Sequence, residues 1–234
     1  RLWWNLVQTA DDMNEDLEQL FPRILHIYTN VPHKPDITSM SIRLLESYAI
    51  LGNSKLIADH VEYVASLLEQ LVIGAPLLLI QTCADLLITF FQLFPHDAPS
   101  IVRPALARLY HTMFYRFPSR TKVVTKIGSL FMHIVHKNID FFFEFLSDPS
   151  IDPEVESPLS HLITRLIEVW NLVDYIEPEK VWAFGFSRLF ASGNPVTVQF
   201  SPQLVDVAIS LLLTLKKHCK TVESRKQHPE YSDV

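Results

Sequence analysis

LSHLITRLIEVWNLVDYIEPEKVWAFGFSRLFAS, residues 159–192, is the stretch from which the rest of the chain can be read. Leu159, Leu162, Ile163, Leu166, Val169, Trp170 and Val173 recur every three or four residues, so they share one face of a helix. Pro178 is expected to stop that helix and open a second one, because its missing N–H has no intrahelical partner in a first turn. Glu177 and Glu179 flank it, where a helix N-terminus favours negative charge. The second helix is expected to bury Val181, Trp182, Gly185, Leu189 and Phe190 and to end before Gly193 and Pro195. Gly185 has no Cβ and permits a close helix neighbour. Such a hairpin has more apolar surface than it can cover alone, so it calls for further copies stacked on it.

The remaining sequence supplies them. The patterning predicts a helix over Met13–Tyr28, with Leu17, Leu20, Phe21, Ile24, Leu25 and Tyr28 inward and Pro22 kinking or restarting it. Asn30–Pro35 reads as a loop. Asp36 caps a helix carrying Ile42, Leu45, Tyr48 and Ala49 to Leu51, which Gly52 ends. A new helix from Asn53 or Ser54 presents Ile57, Val61, Val64, Leu68 and Leu71, and stops at Gly74. Pro76 starts the next helix, which runs to the break at Phe94-Pro95-His96. Asp97 or Ser100 caps a helix through Ile101, Leu106, Leu109, Tyr110, Met113 and Phe114. Pro118-Ser119 separates it from Val123, Val124, Ile127, Leu130, Phe131, Ile134 and Val135, and Phe141-Phe142-Phe143 lies on a short helix ending near Leu146. Ser147–Ser157 is a long polar loop, and a last helix spans Pro202–Cys219. The result is an all-α chain of about ten helices in five antiparallel hairpins, at roughly the 40–47-residue spacing of HEAT or armadillo repeats. Residues 1–220 read as a right-handed α-solenoid segment and 221–234 as a polar tail. A closed helical bundle is the competing architecture; short connectors and the lack of a long crossover favour the solenoid.

Composition agrees. The 234 residues are 48% hydrophobic and 20% charged, too apolar for disorder, and five glycines against 15 prolines suit helices punctuated at their starts. The chain opens Arg1-Leu2-Trp3-Trp4 and reads as a piece of a longer superhelix. Cys83 lies in an apolar run far from Cys219, which points to a buried thiol and no disulfide framework. A net charge of −6 disfavours nucleic acid and anionic membranes as partners. Leu71–Phe94 approaches the length of a membrane span, about 20 apolar residues. Gly74-Ala75-Pro76 breaks it, however, and Asp85 at its middle would cost about 2.5–3.5 kcal/mol to insert.

Chemistry is hard to find. His133 and His136 share a helix near Asp140, but a zinc site needs three or four converging ligands and the pattern supplies no HExxH and no cysteine pair. Neither a nucleophile elbow nor a glycine-rich phosphate loop is present, so no catalytic residue, cofactor site or metal site is assigned. Two charge clusters remain as candidate partner contacts. Arg103, Arg108, Arg116, Arg120, Lys122 and Lys126 gather on the Ile101–Val135 hairpin beside Tyr110, His111 and Tyr115, and could meet phosphate or an acidic partner. Asp148, Asp152, Glu154 and Glu156 on the polar loop could meet a basic peptide. The plainer account of both is a solvated surface.

Leu159, Ile163, Glu168, Val169, Trp170, Asp174, Ile176, Pro178-Glu179-Lys180 and the Trp182-Ala183-Phe184-Gly185 helix resemble the C-terminal part of the importin-β superfamily, nearest its importin-eleven branch. The likeness continues more weakly through Ser39–Leu51 and Val123–Leu146. It implies a karyopherin, a nuclear transport receptor that shuttles between cytoplasm and nucleus at the nuclear envelope. Its partners would be protein cargo, nuclear pore proteins and the GTPase Ran, with the principal Ran contacts in N-terminal repeats outside this segment. The matching positions are packing residues, so no cargo contact carries over. A HEAT scaffold of the cohesin or condensin kind, gripping DNA through the basic cluster, is the alternative that the net charge opposes.

Overall fold

The computed structural model describes residues 7, 13, 15–30, 35–73, 75–173, 176–210, 213–214 and 216. Helices are the only regular elements among them: α1 (Glu15–Asn30), α2 (Pro35–Ala58), α3 (Val61–Ile73), α4 (Leu77–Leu93), α5 (Ala98–His111), α6 (Thr121–Lys137), α7 (Ile139–Ser147), α8 (Pro158–Val169), α9 (Ile176–Ala191) and the short α10 (Pro195–Gln199). Residues 201–210 form a further helix, α11. The 221–234 segment and Cys219 lie outside the described residues.

The broadest contacts join each long helix to one two or three places along. α2, α4, α6 and α9 lie side by side in that order, α3 packs on α5, and α1 on α3. α8 extends the second row, because Tyr110 of α5 meets His161 of α8. No broadly packed pair is farther apart in the chain than α6 and α9. This is the pattern of an open stack of helices in two layers, in which contacts stay local in sequence, and not that of a closed bundle. The first-layer helices α2, α4 and α6 start at Pro35, Leu77 and Thr121, an interval in the HEAT range of about 40–47 residues. The core runs unbroken from Leu17 and Phe21 to Leu204 and Val207.

Several boundaries differ from the sequence reading. Gly52 does not end a helix: α2 continues through it to Ala58, and the break falls at residues 59–60. A mid-helix glycine costs only about 1 kcal/mol, which tertiary packing along α4 can outweigh. Asp36 sits inside the first turn of α2, not ahead of it. Pro22 leaves α1 continuous. Asp97 occupies the N-cap of α5 without a side-chain bond, and the Ser100 hydroxyl donates to its carbonyl. α8 ends at Val169 and passes into a 3-10 turn, Trp170–Leu172, well before Pro178. α9 then begins at Ile176, so Pro178 lies in its first turn. Asp174, Gly74, the loop at 31–34 and the side chains of Ile24, Leu25, Tyr28, Ile57, Glu177 and Glu179 lie outside the described residues.

The buried face of α9 is also rotated from the expected one. Trp182, Gly185, Phe186 and Leu189 are inward, Val181 is half-buried, and Phe190 is 52% exposed. Positions i, i+3, i+4 and i+7 make one stripe, and the residue at i+8 has already turned past its edge. Both helical glycines on this contact are needed for close approach. A Cβ at Gly128 on α6 would stand 2.7 Å from Cζ2 of Trp182, and one at Gly185 would stand 2.5 Å from the Met132 sulfur. The benzo edge of Trp182 occupies the space that Gly128 leaves, and its indole N–H donates to Ser129 Oγ at 2.8 Å. Trp170 is only half-buried.

Two expected outcomes follow from this contact. Trp182→Ala should lower stability by about 3–5 kcal/mol in urea unfolding, as truncation of a fully buried ring does, and Trp170→Ala by clearly less. Gly128→Ala should cost about 1–3 kcal/mol through overpacking against a rigid ring. Gly185→Ala should cost less, because the thioether of Met132 can swing aside. Equal losses in either pair would contradict the geometry.

Candidate functional site

The cations singled out in the sequence are mostly engaged with the neighbouring helix of their own layer. Arg108 Nε on α5 meets Glu69 Oε1 on α3 at 3.0 Å. Lys126 on α6 pairs with Asp85 on α4. Arg103 forks to Glu144 of α7 at 2.9 Å and to Asp148 at 3.1 Å, and lies over the Phe145 ring. Arg116 lies over Phe117 and donates to the carbonyl of Ile73 at 3.3 Å, at the open C-terminal end of α3. Further along, Arg165 donates to the Pro118 carbonyl and Arg188 to the His136 carbonyl. Exposed ion pairs contribute little each, about 0–1 kcal/mol, so their service here is to hold register between successive helices. Arg120 and Lys122 are exposed, and neither has a side-chain partner among the described residues.

The acidic loop divides in the same way. It contains a 3-10 turn, Pro149–Ile151, and buries Ile151. Asp148 accepts from the backbone and hydroxyl of Ser150, and these bonds, together with Arg103, hold its carboxyl below the usual carboxylate range. Asp152 is 1% exposed. Its two oxygens accept from the Tyr115 hydroxyl at 2.9 and 2.8 Å, and His161 Nδ1 lies 3.5 Å away. Glu154 and Glu156 are exposed without side-chain partners among the described residues.

The sequence gives no sign of what joins these two clusters. After His111 the helix widens into a π turn, Thr112–Arg116, closed by the Phe117 N–H on the Thr112 carbonyl. π turns recur at functional sites because the inserted residue redirects the side chains around it. Here Phe114 stacks on His161 with ring centres 3.9 Å apart, while Tyr115 reaches Asp152. The Tyr110 hydroxyl lies 3.2 Å from His161 Nδ1. Burial first, and then the charge of Asp152, push the Tyr110 phenol far above its ordinary range; the same causes push Tyr115 up to about 12. Both phenols are therefore neutral donors at physiological pH. Beside this cluster lies an open groove of about 400 Å³, lined by Phe114, Pro118, Ser119, His161, Thr164, Arg165 and Glu168. Tyr115 and Asp152 are 37 positions apart, too far for any local pattern to link them.

Other candidate chemistry has a structural setting. Burial pushes the Cys83 thiol up to about 12, so it stays protonated in the core. His133 and His136 sit on α6 with their Nδ1 atoms buried and without a hydrogen-bond partner. No group of three or more His, Cys, Asp or Glu among the described residues is placed to hold a metal ion. No helix among them is long and apolar enough to cross a membrane.

Burial lowers the His133 pKa to about 4, aided by the charges of His136, Lys126 and Lys137, and His136 is lowered too. An unfolded histidine near the ordinary value of about 6.5 binds a proton that the folded one refuses. The stabilising contribution is therefore whole above pH 6.5 and is lost as pH falls towards 4. The urea midpoint should fall steadily from pH 7 to pH 4.5, and His133→Gln should flatten that slope. Loss from Asp148 belongs to a separate window, below the ordinary carboxylate pKa. An unchanged slope in the variant would show that His133 is not the group responsible.

Compared with known families, residues 1–230 match the family described as importin-11-like, TPR repeats. No curated protein and no solved structure matches the chain.

Proposed function

We propose that this chain, which belongs to the importin-11-like family, is a protein-interaction segment of a Ran-dependent receptor for nuclear import of protein cargo. The observation that carries the reading is the family match over residues 1–230, joined to a stack of helices that share one continuous apolar core. The segment is a right-handed solenoid of about five hairpins forming one unit over residues 1–220, and it works by offering surface, not by catalysis. It shuttles between cytoplasm and nucleus and passes the envelope by way of nuclear pore proteins. Its contact to Ran is secondary to that of N-terminal repeats. Arg108, Arg116, Arg120, Lys122 and Lys126, together with Asp148, Glu154 and Glu156 of the acidic loop, are the candidate contact residues, and Asp152, buried behind that loop, anchors it. Arg120, Lys122, Glu154 and Glu156 are the foremost of these, because no side chain among the described residues matches their charges.

The chromosomal-scaffold alternative asks for a basic groove open to DNA. What weighs against it is the net charge of −6 and the engagement of Arg103, Arg108 and Lys126 by acids of adjacent helices.

The test is capture from cytosolic extract on the immobilised chain joined to the N-terminal repeats that would carry the principal Ran contacts, with and without Ran loaded with a non-hydrolysable GTP analogue, and with duplex DNA titrated in parallel. The expected result is a set of retained proteins that Ran-GTP displaces, and weak DNA binding that an Arg108, Arg116 and Arg120 triple glutamate variant leaves unchanged. Retention indifferent to Ran-GTP would overturn the import reading. Micromolar DNA binding near physiological salt, abolished in the variant and falling with a log–log salt slope of about 0.9 per phosphate contact, would favour the scaffold.

A further inference from the structure

The groove beside the π turn combines three properties that are seldom found together on a packed helical surface. Its size, about 400 Å³, lies in the range of ligand-holding clefts and is far more than one or two waters fill. Its lining offers apolar surface in the Phe114 ring, stacked on His161, and in Pro118. These walls are fixed from behind. His161 Nδ1 faces the Tyr110 hydroxyl at 3.2 Å, with Asp152 at 3.5 Å behind it, and Arg165 bridges from α8 to the Pro118 carbonyl. A groove held in this way loses little freedom when it is filled, which favours binding.

The charge around it is one-sided. Arg165 and Glu168 neutralise one another inside the groove at 2.9 Å. Beyond Pro118 and Ser119, the chain continues into Arg120 and Lys122, the cations of this hairpin left exposed and without a side-chain partner among the described residues. Arg103, Arg108 and Lys126 each have an acid. The flank after Pro118 is therefore positive.

We propose that this groove docks an apolar side chain carried on an acidic segment of a protein partner, with Phe114, Pro118 and His161 gripping the side chain and Arg120 and Lys122 meeting the acids. The proposal rests on the protein-interaction reading above and names the chemistry of one contact within it. His161 offers its Nε2 edge to the segment backbone, since Nδ1 faces the Tyr110 hydroxyl, and the Ser119 hydroxyl stands beside it. The arrangement is that of a recognition site in which one buried anchor supplies affinity and rim charges supply orientation and rate.

The experiment uses the whole chain and fluorescein-labelled dodecapeptides read by anisotropy. One peptide has a central Leu-Phe flanked by glutamates, a second has Ala-Ala at the centre, and a third has Leu-Phe flanked by lysines. The glutamate-flanked Leu-Phe peptide should bind at about 10–100 μM, with the other two at least about tenfold weaker. Thr164→Trp, which fills the groove from the exposed face of α8, and the double variant R120E/K122E should each weaken it at least tenfold. Thermal unfolding of both variants should match the wild type. Equal binding of the lysine-flanked peptide, binding that Thr164→Trp leaves intact, or no binding by any peptide would each overturn the proposal. So would displacement by an oligothymidine as effective as by unlabelled peptide, which would give the groove to nucleic acid. Failure here with Ran-sensitive capture intact removes only the groove; loss of both removes the import reading as well.

Discussion

The approach of α9 to α6 is the constraint on which the C-terminal half of this structure depends. Trp182 can pack against α6 only because Gly128 has no Cβ, and α9 can come close beside it only because Gly185 has none against Met132. Both absences are needed, since either side chain would hold the two axes apart along their length. With the helices close, Phe186 and Leu189 reach the core and the indole N–H finds Ser129, so a large ring is buried with its polar atom satisfied. The cost of two glycines in helix interiors, about 1 kcal/mol each, is small beside the burial of that ring.

The same economy governs the charged residues. A helical stack has no single centre to fix its register, and each helix could slide along the next at modest cost in apolar contact. Glu69–Arg108 ties α3 to α5, Asp85–Lys126 ties α4 to α6, and Thr89 Oγ1 donates to Glu46 to tie α4 to α2. Arg116 and Arg188 close the carbonyl ends of the helix before their own in the same layer. In water such links are worth little as energy, yet they disfavour sliding because a shifted register strands the charges. The basic cluster is thus largely part of the stack's own construction, and the charges left over at Arg120, Lys122, Glu154 and Glu156 stand out against it.

The π turn joins construction to surface. Without the inserted residue, Phe114 and Tyr115 would continue the face of α5. With it, one stacks on His161 of α8 and the other holds the buried carboxylate of Asp152, which anchors the loop before α8. The groove beside them owes its shape to this local widening of a helix and not to a missing side chain.

The sequence by itself determined the helical class, most of the buried stripes and the family resemblance, which the match to importin-11-like repeats over residues 1–230 bears out. Leu162, Ile163, Leu166, Ile127, Phe131 and Trp182 were legible as core because helical periodicity is a local property and apolar side chains at that period have only one way to hide. Tertiary structure alone decided where α2 ends, since a glycine such as Gly52 only weakens a helix and its neighbours choose whether it breaks. It also decided that α9 turns Phe186 inward and Phe190 outward, because the rotation of a helix is settled by the shape of the surface that receives it. The candidate site was the least legible part. Tyr115, Asp152 and His161 meet only after the chain has folded back on itself, and a contact between distant residues leaves no period in the sequence to be read.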